Sequence, residues 1–168
     1  MSIDATVGGE VSNSYVTLAE ADAYFESRNY ATAWDEIEDP DSFLITATNQ
    51  IDWFMDFNGS RTSSTQALEW PRFEAYDYKL DEYIASDIIP NKVKYGVLEL
   101  VLASLEEDRF TDGDMDGIQE VKVGSLQVKA NSSAWQPRKE SIPKIVNQIL
   151  SGLVKPTANG VFSRVTRF

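Results

Sequence analysis

Apolar residues recur at three- and four-residue spacing in four stretches of the chain, and the stretches open on helix-starting signals. Ahead of the first, Thr17-Leu18-Ala19-Glu20 forms a capping box: the Thr17 hydroxyl accepts a free backbone N–H and Glu20 reaches back. Leu18, Ala21 and Phe25 then share a face through Arg28, with Tyr15 as a staple residue before the cap. The second helix opens at Asp39-Pro40, a cap followed by proline at the first helical position. Leu44, Ala47, Ile51 and Phe54 form its stripe, Phe43, Trp53 and Met55 widen it, and Asn58-Gly59 ends it. The third helix runs from Pro90 to about Asp108; Val93, Val97, Leu100, Val101, Ser104 and Leu105 line one face, and its apolar content predicts a central position. The fourth spans Ile142 to Leu153 with Ser141 as its cap, and Lys155-Pro156 stops it.

Between the second and third helices, residues 59–87 make a long connection, and long connections tend to be functional. It is polar at first, then carries Leu68-Glu69-Trp70-Pro71-Arg72 and three tyrosines, Tyr76, Tyr78 and Tyr83, with room for a short helix near 78–85. Residues 121–128 alternate around Gly124-Ser125, the signal of a β-hairpin. The expected fold is therefore mainly α: a small four-helix bundle with one β-hairpin, a long inter-helix loop and extended N- and C-terminal arms. In domain terms, residues 1–13 are an N-terminal arm, 14–156 a helical domain with its hairpin near 120–129, and 157–168 a C-terminal arm.

Composition narrows the chemistry. The 168 residues suffice for one core, and the aromatic content (8 Phe, 7 Tyr, 4 Trp) excludes a wholly disordered chain. There is no cysteine and no histidine. Thiol nucleophiles, disulfides and zinc–thiolate sites are thus absent, as is the commonest general base. The start has neither a basic region nor an apolar run, so no signal peptide is expected, and no stretch approaches the length of a membrane span. Carboxylate pairs such as Glu36/Glu38 and Glu106/Glu107 read as solvated helix ends, and no phosphate-binding or hydrolase motif occurs. The expectation is a soluble, non-enzymatic protein without a cofactor.

Three features invite a functional reading. Asp112, Asp114, Asp116 and Gly117 match the first half of an EF-hand calcium loop, but Val123 stands where the closing bidentate Glu belongs; the alternative is a solvated acidic turn. Trp70, Pro71 and Arg72, with Tyr76 and Tyr78, either stack nucleic-acid bases or anchor the loop on the bundle; the neighbouring acids Glu69, Glu74 and Asp77 disfavour phosphate. The tail carries Val161, Phe162, Arg164, Val165, Arg167 and Phe168, apolar and basic residues suited to gripping an acidic partner. Charge separates along the chain. From Arg138 to Phe168, six basic residues face one acid, a net +5; the preceding nine basic and 26 acidic residues leave −17.

Several ordered motifs resemble one family of phage proteins, catalogued as putative DnaT-like single-stranded-DNA-binding proteins. They are Asn13-Ser14-Tyr15-Val16-Thr17 running into Ala19-Glu20-Ala21-Asp22-Ala23-Tyr24-Phe25 and Arg28; Trp34; Ala47-Thr48 with Ile51-Asp52; Gln66 to Arg72; Ile89-Pro90 with Lys92 and Leu98-Glu99-Leu100; the hairpin; and Arg164-Val165-Thr166-Arg167. Proteins with this order of elements are also similar to head–tail adaptors of tailed phages. The resemblance implies a structural head–tail connector (adaptor) subunit in the virion neck, present in the host cytoplasm during assembly. Its implied partners are the portal protein, gripped by the C-terminal arm, the next neck or tail protein, and further copies of itself in a twelve-fold ring. Trp70, Pro71 and Arg72 would then supply a loop anchor or an intersubunit contact. Genomic DNA would pass through the ring without specific binding, because an acidic wall disfavours adsorption. No membrane is involved in this reading. The alternative is a single-stranded-DNA-binding accessory protein.

Overall fold

The computed structural model describes residues 2–106, 120–123, 126–129 and 141–155, with backbone only for the two short stretches at 120–129. It contains four α-helices: α1 (Leu18–Ser27), α2 (Pro40–Phe54), α3 (Asn91–Glu106) and α4 (Lys144–Leu150). Three two-stranded ribbons accompany them: β1 (Ser60–Arg61) with β2 (Arg72–Phe73), β3 (Tyr76–Asp77) with β4 (Glu82–Tyr83), and β5 (Glu120–Val123) with β6 (Leu126–Lys129). The mainly helical class is as expected. The hairpin is present too, with Val121 opposite Val128 and Val123 opposite Leu126; the expected turn residues Gly124-Ser125 lie outside the described residues.

Local chemistry explains the helix starts. Thr17 accepts from the Glu20 amide at 3.3 Å, and the Glu20 carboxylate accepts from the Thr17 amide at 2.9 Å, so both halves of the capping box are made. Asp39 caps α2 through the Ser42 amide, with Pro40 at the first helical position. The fourth helix is shorter than its apolar stripe. Pro143 sits at the cap, and Ser141 makes no cap bond to α4. Ile142 and Leu153 are nevertheless buried from the flanking turns.

As its composition suggests, α3 is central: it packs on α2, on α4 and on a 3-10 turn at Thr32–Glu36 that the spacing did not reveal. Gly96 lets α4 come close, since a β-carbon there would lie 3.1 Å from a Leu150 methyl. Arg28 at the end of α1 pairs with Glu99 of α3 at 2.8 Å, and the Tyr24 hydroxyl donates to the same carboxylate at 2.6 Å. Burial alone would push Glu99 up, but these two donors outweigh it and hold its carboxyl below the ordinary range.

Three expectations are corrected. The N-terminal segment is not an extended arm. The Asp4 carbonyl accepts from the Asn13 amide at 2.9 Å, the Asn13 side chain answers at 2.8 Å, and the Gly9 carbonyl accepts from the Ala67 amide at 3.0 Å. There is no helix near 78–85. The Asp77 carboxylate takes the amides of Lys79 and Leu80, and Asp81 adopts φ +61°, so the segment folds back as the β3–β4 ribbon. Finally, α2 stops at Phe54, leaving Trp53 and Phe54 outside the core at 75% and 53% exposure. The chain must extend there because Phe57 bridges to Val154 and the Asp56 carbonyl accepts from the Lys155 amide at 2.8 Å.

Candidate nucleic-acid interface

The Trp70-Pro71-Arg72 segment lies inside the fold. Trp70 is 1% exposed and Arg72 6%, and Pro71, joined to Trp70 by a cis peptide bond, is buried as well. The Trp70 ring meets Phe57 edge to face at 5.5 Å. The Arg72 guanidinium donates to the carbonyls of Phe57 (3.3 Å), Asn58 (2.8 Å), Gly59 (3.0 Å) and Glu69 (3.2 Å), and pairs with the Glu69 carboxylate. These contacts are those of a loop anchor. They leave the segment no open ring for a base and no exposed surface for a neighbouring subunit.

Beside it lies a polar node that the apolar spacing concealed. Tyr15 is buried and donates to Asp52 of α2; its oxygen accepts from the Trp70 amide at 3.1 Å. Asp52 also accepts from the Glu69 amide at 3.0 Å. Burial pushes the Asp52 carboxyl up to about 6, against the opposing pull of those two donors, and burial and Asp52 raise the Tyr15 hydroxyl well above its ordinary range. The folded state thus takes up a proton between about pH 4 and 6 that the unfolded chain does not. This contribution to stability is present below the unfolded value and is lost as pH rises through about 6. Replacing Asp52 by asparagine is expected to remove that pH dependence. Urea unfolding at pH 4.5 and 7.0 checks it: relative to the variant, wild type should lose about 2 kcal/mol over the interval. An unchanged difference between the two proteins would refute the assignment.

The exposed rings are elsewhere. Trp53 projects at the C-terminal end of α2, close in sequence to Asp56, where the chain returns to pair through Val154 and Lys155 before the basic segment. The Lys155 ammonium reaches the Asp56 carboxylate at 2.6 Å. A second group lies on the β3–β4 ribbon: Tyr76 contacts Tyr78 at 5.3 Å and Tyr83 at 5.0 Å, both edge on. Sequence reasoning placed Trp53 in the core stripe and Tyr76 and Tyr78 beside Trp70. The warning sign was width: Ile51, Trp53, Phe54 and Met55 together cover too much of one helical turn to face a single core.

Asp112, Asp114 and Asp116, and the tail residues Val161, Phe162, Arg164, Val165, Arg167 and Phe168, lie outside the described residues. Among the described residues no cluster of three or more acidic side chains is arranged to hold a metal ion, and no helix is long and apolar enough to cross a membrane.

No curated protein and no solved structure matches the chain. Residues 1–168, its full length, match the family described as "Putative DnaT-like ssDNA binding protein", a family described by binding rather than catalysis. The capped first helix, the buried tryptophan–proline–arginine anchor and the paired hairpin of this fold are the parts that carry the motifs resembling that family, and the chain belongs to it.

Proposed function

We propose that this protein binds single-stranded DNA without acting on it chemically. The observation that carries the reading is Trp53, 75% exposed, at the edge where the chain leads into its basic end. Stacking on an exposed aromatic ring contributes about 1–3 kcal/mol per base and tolerates any sequence. Phosphates would be met by the basic residues from Arg138 onward, Arg164 and Arg167 among them, because the acidic body repels them. Few phosphates are then neutralised, so affinity should be modest and fall with salt on a shallow slope. Fluorescence anisotropy with a labelled oligothymidylate tests this. Binding is expected at low salt, with roughly ten- to a hundred-fold weakening in Trp53→Ala. Absence of binding at low salt, or a variant that binds like wild type, would sink the reading.

A second reading is a head–tail connector subunit: a homo-oligomeric ring beneath the portal, its tail residues 160–168 docked on the portal protein, with the next neck or tail protein below. The charge division supports it, since a body of net −17 suits the wall of a duct through which genomic DNA slides. A pull-down with portal protein separates the readings. Portal capture that is lost on removing residues 160–168, without oligonucleotide binding, would favour the connector.

A further inference from the structure

The β3–β4 ribbon is an exposed aromatic surface with an acidic border. Tyr78 and Tyr83 are 54% and 73% exposed, and Leu80 at the turn 59%. The ribbon is tied to the helical body at several points. Asp77 beneath it is buried, caps the turn amides and pairs with Lys92 of α3. The Tyr78 amide donates to the Gly152 carbonyl at 2.9 Å, and the Lys79 ammonium to the Gln148 carbonyl at 2.6 Å. Residues 73–88 hold five acids, Glu74, Asp77, Asp81, Glu82 and Asp87, against one lysine. With Asp77 committed to Lys92 and Asp81 receiving the Tyr76 hydroxyl, the exposed Glu74, Glu82 and Asp87 remain as open charges, the first two on or beside the ribbon itself. None of these three carboxylates appears in an ion pair among the described residues.

A tyrosine surface of this sign repels phosphate and attracts guanidinium, which stacks on aromatic faces and pairs with carboxylate. The chain itself contains a matching segment: residues 160–168 carry Arg164 and Arg167 between Phe162 and Phe168, with no acid among them. We propose that the β3–β4 ribbon is the docking surface for residues 160–168 of a second copy of this chain. The contact is heterologous, tail to ribbon, so each molecule both gives and receives; such contacts close into rings or run on as open chains. The inference does not rest on DNA binding, which places bases at Trp53 rather than at the ribbon.

Sedimentation equilibrium of the full-length chain at low salt tests it. Wild type should self-associate, and added salt should weaken the contact. Glu74→Lys with Glu82→Lys spoils the ribbon; Arg164→Glu with Arg167→Glu spoils the tail. Each double variant alone should associate at least ten-fold more weakly. An equimolar mixture should recover association, because one partner retains a native tail and the other a native ribbon. Glu74 and Glu82 are exposed, outside the helical core, and circular dichroism checks that each variant is folded. The ribbon variant should bind oligonucleotide at least as tightly as wild type, because it is less acidic and its tail is free, which separates this result from the DNA reading. A monomeric wild type, a double variant that associates like wild type, or a mixture that stays apart would each overturn the proposal.

Discussion

Replacing Arg72 by alanine is expected to destabilise the protein by about 3–5 kcal/mol, a large part of the roughly 5–15 kcal/mol that holds a domain of this size together. The guanidinium is 6% exposed and donates to four backbone carbonyls, three of them from consecutive residues, Phe57, Asn58 and Gly59. The variant leaves those acceptors, and the Glu69 carboxylate, without their donor in a place that water reaches poorly. Arg72→Lys should fall between wild type and alanine, because one ammonium cannot reproduce the planar fork that reaches so many oxygens. Urea denaturation measures both. A loss under about 1 kcal/mol in the alanine variant would mean that the carbonyls find other partners.

Trp70 should separate packing from hydrogen bonding. Trp70→Ala removes the ring that meets Phe57 and is expected to cost about 3–5 kcal/mol. Trp70→Phe should cost far less, under about 1.5 kcal/mol, for a specific reason. The indole N–H is buried and has no hydrogen-bond partner among the described residues, so the smaller ring gives up contact area but also removes an unsatisfied donor. Thermal and urea unfolding of the two variants decide it; comparable losses in both would show that ring volume alone governs the site.

The starts of α1 and α2 were legible because a cap is a local event: Thr17 and Glu20, or Asp39 and Ser42, lie within one turn of each other. The central place of α3 followed from its apolar content, and the hairpin from a two-residue alternation. The ribbon at 76–83 was not legible. Its tyrosines suit a helix or a strand, and what turned them was the Asp77 carboxylate, seated between its own turn and Lys92 fifteen residues away. The C-terminal end of α2 was missed for a similar reason. The width of the apolar stripe warned that some of its rings would be open, but not that Trp53 and Phe54 would be the ones; the bridge from Phe57 to Val154 drew the backbone out of the helix.

By itself, then, the sequence determined the helical class, the helix starts, the lack of thiol and imidazole chemistry, and the separation of an acidic body from a basic end. Those properties depend on residue type and near spacing. Only the tertiary structure decided which aromatic rings are buried and which are open. Trp70 and Trp53 are the same residue type in comparably apolar surroundings, yet one is 1% and the other 75% exposed. The difference comes from partners distant in sequence: Tyr15 and Phe57 converge on Trp70, while the pairing of residues 56–58 with 153–155 leaves Trp53 facing water. Burial belongs to contacts between distant segments, and no local pattern encodes which segments will meet.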